Sequence, residues 1–125
     1  MSKPQPTDIK LHSLSAILEI AFSDGAHFEL PCEYLRVYSP SAEVRGHGPG
    51  QETLQLDKQD VNIESIRSVG NYAVALCFDD GHDTGIYTWE LLYNLGQHHE
   101  ELWAEYLGKL AAARHQRKPK NGEES

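Results

Sequence analysis

The apolar positions of this chain change rhythm once. Up to residue 78 they recur mostly at every second position, the period of a strand with one buried face. Beyond residue 88 they recur at helical spacing. Ile9 and Leu11 mark a strand over residues 8–12, and Ile17, Leu18, Ile20 and Phe22 mark a second over 16–22. Ser23-Asp24-Gly25 supplies a hairpin turn between them and a return strand. On that strand Ala26, Phe28 and Leu30 face one way and His27 and Glu29 the other. Pro31 suits the first turn of a helix. Tyr34, Leu35 and Tyr38 then give a short helix over 32–38, which Pro40 stops.

Residues 39–57 lack periodicity and carry Gly46-His47-Gly48-Pro49-Gly50. A loop of this length in a small domain is functional or packed down by its own side chains. Val61, Ile63, Ile66 and Val69 resume a strand over 61–69, with a slip after Ile63 that predicts a bulge or break. After a turn at Gly70-Asn71, residues 72–78 form the most apolar strand and so belong near a sheet centre. Asp80-Gly81 turns the chain into a short strand. Thr88 can cap a helix through residue 95, with Gly96 as its C′ glycine. A last helix over about 98–113 places Leu102, Trp103, Tyr106, Leu107, Leu110 and Ala111 on one buried face.

The expected fold is therefore α+β: a small antiparallel sheet built from hairpins, one short helix after the first hairpin, and two C-terminal helices packed on the sheet. Residues 7–113 read as one domain, between a disordered leader (1–6) and a disordered charged tail (114–125). Phe22-Ser23-Asp24-Gly25 and Phe78-Asp79-Asp80-Gly81 also echo each other. Each closes a strand and is followed by a short strand and a helix, which predicts two hairpin-plus-helix units.

Charge narrows the function. Residues 1–113 hold seven Lys/Arg against seventeen Asp/Glu, a net −10, while 114–125 carry a net +2. An acidic body lacks the clustered positive charge that phosphate contacts need, which argues against nucleic acid. No apolar run approaches the ~20 residues of a membrane span, and the start of the chain has no signal-like apolar core, so a cytoplasmic location is expected. Cys32 and Cys77 read as small buried hydrophobes.

Catalytic patterns occur only in fragments. Asp83-Thr84-Gly85 lacks the apolar strand residues that would bury an aspartic dyad. His27-Phe28-Glu29 with Pro31-Cys32 lacks the second cysteine of a zinc deaminase, and strand alternation already explains the pair, also against a two-histidine, one-carboxylate iron site. Gly46–Gly50 lacks a phosphate loop's Lys-Ser/Thr ending. Ser39, Ser41 and Cys32 have no base that sequence alone identifies.

Two segments, residues 30–45 (LPCEYLRVYSPSAEVR) and 80–92 (DGHDTGIYTWELL), resemble the gamma-butyrobetaine hydroxylase-like N-terminal domain family. The resemblance extends over about residues 7–110. In eukaryotic hydroxylases such a domain precedes a 2-oxoglutarate- and iron-dependent catalytic domain, and a similar one follows the ATPase of some Mrp-type iron–sulfur carriers. The hydroxylase version binds structural zinc through Cys-Pro-Cys-x-x-Cys and a histidine of the Asp-Gly-His segment. Transferred here, the histidine is His82, the cysteine positions are Ser39, Ser41 and Val44, and Pro40 is retained. Serine hydroxyls are poor zinc ligands and valine has no donor, so the family fold is expected without its zinc.

The resemblance implies a non-catalytic accessory domain acting through a protein partner. Its expected surface is loop 39–51 with Arg36, Tyr38, Arg45, His47, His82 and Tyr87. The bland alternative is that these aromatics pack beneath the loop. A different class of function, metal handling in iron or iron–sulfur metabolism, would use His82 with Cys32, Cys77 or His47.

Overall fold

The computed structural model describes residues 3–45 and 54–113, apart from the side chain of Glu43. The strands β1 (Pro6–His12), β2 (Ile17–Phe22) and β3 (His27–Pro31) lead into a short helix, α1 (Cys32–Val37), and a further turn of helix, α2 (Ala42–Arg45). The strands β4 (Ile63–Val69), β5 (Ala73–Phe78) and β6 (Ile86–Thr88) lead into α3 (Trp89–Gln97) and α4 (His99–Ala112). The α+β architecture from antiparallel hairpins is as expected, with the strands divided between two three-stranded sheets ordered β1-β2-β3 and β4-β5-β6.

The two halves repeat each other in the pairing of their first two strands and in their turns. In the first, Pro6 pairs with Phe22 and then, past an extra residue, Asp8 pairs with Ala21. In the second, Ile63 pairs with Phe78 and, past one extra residue, Ser65 pairs with Cys77, which is the slip seen after Ile63. Ser23 N–H donates to Gln5 O at 2.8 Å, and Asp79 N–H donates to Asn62 O at 2.9 Å.

The turns match as well. Phe22 N–H donates to Ala26 O (2.8 Å) and Gly25 N–H to Phe22 O (3.0 Å); Phe78 N–H donates to His82 O (2.9 Å) and Gly81 N–H to Phe78 O (3.2 Å). Asp24 Oδ1 accepts from Ala26 N–H, and Asp80 Oδ1 accepts from His82 N–H. Gly25 and Gly81 sit at φ +90° and +89°, a conformation that makes glycine the natural residue.

Each helix clasps the opposite turn. The fifth residue of α1, Arg36, donates from Nε to Asp80 Oδ2 at 2.9 Å, and the fifth residue of α3, Tyr93, donates to Asp24 Oδ2 at 2.5 Å. Between the sheets a single apolar cluster joins Leu18, Ile20, Phe22, Leu30 and Leu35 of one half to Leu76, Phe78, Tyr87 and Leu92 of the other.

Several expectations are corrected. Pro6, assigned to the leader, belongs to β1, and Gln5 O beside it accepts from Ser23 N–H. Gly96 lies inside α3 rather than after it, and it is glycine there because the ring of Phe28 occupies the space a Cβ would take. Leu107 and Ala111 are exposed, so the buried stripe of α4 is narrower than its composition suggests and rests on Tyr106 and Leu110. Residues 39–57 contain the helical turn α2; the Gly46–Gly50 run with His47, and the tail 114–125, lie outside the described residues.

Candidate functional site

The repeat is broken at one place. In the first half Phe22 faces Ala26 and the pairing continues without interruption to Ile17 against Pro31. In the second, Phe78 faces His82 but Ala75 pairs with Ile86, three residues back against four forward. The extra residue makes Asp83–Gly85 bulge from the hairpin, and bulges re-aim side chains. Here the bulge meets the segment that leaves α1.

There His82 Nε2 and Ser39 Oγ share a hydrogen bond of 2.8 Å, Ser41 N–H donates to Ser39 Oγ (3.2 Å), and the hydroxyls of Ser41 and Thr84 are 2.6 Å apart. Ser39 is 1% exposed and His82 is 5% exposed, so this polar cluster is interior. Gly85 admits it: a Cβ there would stand 2.5 Å from Ser39 Oγ, 3.1 Å from Tyr87 Cε1 and 3.4 Å from Pro40 Cδ. The equivalent contact in the other half, Phe28 against Gly96, is apolar and is filled by an aromatic trio with Phe22 and Tyr93.

The four positions carried over from the family zinc motif, Ser39, Ser41, Val44 and His82, are all buried, and hydrogen bonds link His82 to Ser39, Ser39 to Ser41 and Ser41 O to Val44 N–H. They do not fit the ion. Zinc takes thiolate, imidazole or carboxylate donors; one imidazole is present, its Nε2 is bonded to Ser39, and Val44 offers nothing. Among the described residues no three His, Cys, Asp or Glu side chains are grouped to hold a metal. Cys32 instead approaches Asn62 Oδ1 at 3.5 Å, and neither Cys32 nor Cys77 is in a disulfide. A serine 2.8 Å from an imidazole is the geometry of a nucleophile and its base. Here the hydroxyl is enclosed and already accepts from Ser41 N–H, so the pair ties the Ser39–Ser41 segment to the bulge.

Charged groups brace the same junction. Asp80 Oδ2 also accepts from Lys58 Nζ at 2.8 Å, and Arg36 Nη1 donates to Gln55 Oε1 at 2.9 Å. Burial pushes the Asp80 carboxyl up, but the hydrogen bonds from Lys58 and His82 N–H and the charges of Arg36 and Lys58 outweigh it and hold the carboxyl below its usual range.

The expected interaction residues separate by burial. Arg36 is 7% exposed with its guanidinium committed, and Tyr87 is fully buried and donates to Leu35 O at 2.6 Å. Burial also pushes the Tyr87 phenol well up. Both are thereby corrected from surface anchors to internal braces. Tyr38 and Arg45 do reach a surface feature, a cleft of about 260 Å³ between the α1–α2 segment and α4. Val37, Tyr38, Val44, Leu54 and Tyr106 form its apolar part, and Arg45 and Lys109 bring positive charge. Tyr38 is anchored by donating to Leu102 O at 2.7 Å, and burial, with Glu105 nearby, pushes its phenol up to about 12. Tyr106 donates to Gln55 O at 2.6 Å. No local sequence signal assigned Thr84, Gly85, Tyr106 or Lys109 to this junction; their place in it shows only once α4 and the second turn are set beside the segment after α1.

A family model described as gamma-butyrobetaine hydroxylase-like, N-terminal, matches residues 9–93. Two proteins with solution NMR structures are 49% and 43% identical to this chain, each with a TM-score of 0.81 and 99% of this chain covered, over 94% and 95% of their own lengths. A crystal structure of a DUF971-family protein of unknown function from Acidithiobacillus ferrooxidans is 36% identical, with a TM-score of 0.60, covering 76% of this chain and 98% of that one. No curated protein matches the chain.

Proposed function

The chain belongs to the gamma-butyrobetaine hydroxylase-like N-terminal family, and from that premise we propose that it is a non-catalytic accessory domain that docks onto a protein partner. On this reading it works without zinc, with the serine–histidine cluster replacing the metal as the tie that holds the segment after α1. The observation that carries the reading is the departure from the internal repeat. One half of the domain is packed by apolar contacts, while the other uses a bulge and a buried polar cluster to hold Ser39–Arg45 as one wall of a preformed cleft. Pre-organised walls lower the ordering cost of association.

The enclosed Ser39 hydroxyl supports a binding role over a catalytic one. The acidic body supports a protein rather than a nucleic-acid partner. No described helix is long and apolar enough to cross a membrane, and two cysteines outside any disulfide suit a reducing, cytoplasmic setting. Site-specific photo-crosslinking in the native host tests the reading. A photoreactive residue at Arg45 or Lys109 is expected to capture one discrete protein, and the same residue at Lys10, exposed on β1 and outside the cleft lining, is expected to capture none. Absence of an adduct at both cleft positions, or equal adducts at all three, would refute docking through this face.

A further inference from the structure

We infer that the occupant of the cleft between α1–α2 and α4 is an apolar side chain carried on an acidic stretch of the partner protein. This rests on the docking reading and specifies what docks. The cleft, at about 260 Å³, is smaller than the roughly 300–1,000 Å³ of pockets that bury drug-sized ligands, which suits one or two side chains rather than a cofactor. Its walls are Val37, Val44 and Leu54 with the tyrosines Tyr38 and Tyr106, whose hydroxyls are already bonded to backbone carbonyls and so leave their rings as contact surface. That lining calls for an apolar anchor.

The charge pattern selects what flanks the anchor. Arg45 and Lys109 both line the cleft, and among the described residues neither enters an ion pair. They are two of only seven Lys/Arg in a body of net −10. Such a surface repels an acidic segment almost everywhere, so two cations at one apolar cleft, unpaired among the described residues, confine it there by attraction at the site and repulsion around it.

The test is an NMR titration of the ¹⁵N-labelled full chain with a five-residue peptide, capped at both ends, that places a phenylalanine between two pairs of glutamates. The expected result is saturable shifts at Val37, Val44 and Tyr106, weakened about tenfold in R45E/K109E, as the loss and reversal of two exposed ion pairs implies. Both positions are exposed, so the variant retains the fold. The proposal is overturned if the acidic peptide leaves the cleft unmoved. It is equally overturned if a serine-centred acidic peptide or a lysine-flanked phenylalanine peptide binds as well. Cleft shifts that follow protein concentration without peptide would assign the site to a second copy of the chain, and binding seen only after removing residues 114–125 would assign it to the chain's own tail; either result overturns the proposal. Successful photo-crosslinking with failed peptide binding would retain docking and discard the acidic partner.

Discussion

Gly85→Ala separates two accounts of the bulge by the sign of its effect. If Gly85 were a turn glycine with open space, alanine would stabilise by about 0.4–1 kcal/mol through the unfolded state. The structure predicts the opposite. The added Cβ would lie 2.5 Å from Ser39 Oγ, an atom that cannot simply retreat because it is held by His82 Nε2 at 2.8 Å and by Ser41 N–H at 3.2 Å. Tyr87 Cε1 at 3.1 Å and Pro40 Cδ at 3.4 Å close the alternative routes. Overpacking costs roughly 1–3 kcal/mol and each disturbed hydrogen bond about 0.5–1.5 kcal/mol, so a total near 2–4 kcal/mol is expected. In urea unfolding this is a lower midpoint at unchanged slope, and in thermal unfolding a fall of roughly 10 °C or more. The clash is with one named atom, so a double-mutant cycle assigns it. Ser39→Ala should reduce the cost of Gly85→Ala by at least about 1 kcal/mol, although it is destabilising alone because it removes the hydrogen bond to His82 Nε2. A neutral or stabilising Gly85→Ala, or strict additivity with Ser39→Ala, would refute the packing account.

Gly108, in the middle of α4 with nothing within 4 Å of its would-be Cβ, is the counterpart, and Gly108→Ala should raise stability by about 0.5–1 kcal/mol in the same urea assay. Thr88 Oγ1 accepts from Leu91 N–H at 3.1 Å as the cap of α3, so Thr88→Ala should cost about 1 kcal/mol. On the outer face of the first sheet, hydrogen bonds from His27 and His12 lower the Glu19 carboxyl from 4.5 to about 2. Because the folded value is depressed, the stabilisation is complete above about pH 4.5 and lost as pH falls through about 2. Wild type and Glu19→Gln should therefore differ in acid-unfolding curves above that window and converge below it; a difference independent of pH would contradict the assignment.

Much of the fold could be read along the chain because its signals are local. Alternation marked the strands, two Asp-Gly turns marked the hairpins, Thr88 marked a cap, and the slip after Ile63 marked a bulge. The paired turns also disclosed the internal repeat, since a short turn carries its whole hydrogen-bond pattern in four or five residues. What escaped is non-local. Gly96 resembles a helix stop, and only the approach of Phe28, nearly seventy residues away in sequence, explains why α3 carries a glycine there. Arg36 and Tyr87 have the residue types of interface anchors, but Asp80 and Leu35 O take their polar atoms into the interior. The site followed the same division. Loss of zinc donors at Ser39, Ser41 and Val44 is plain in the residue types, whereas Thr84 and Gly85 join the cluster only because one extra residue in the second hairpin turns them toward α1. The cleft role of Tyr106 and Lys109 was hidden because a helix sequence does not state which neighbour its faces will meet.

On the proposed reading a serine–histidine cluster holds this junction without zinc. Native mass spectrometry of the full chain in excess zinc, beside a variant carrying S39C, S41C and V44C, tests it most directly. The account predicts that the natural chain retains no ion and that the triple-cysteine variant retains one. A single ion held by the natural chain and lost in His82→Ala would contradict it.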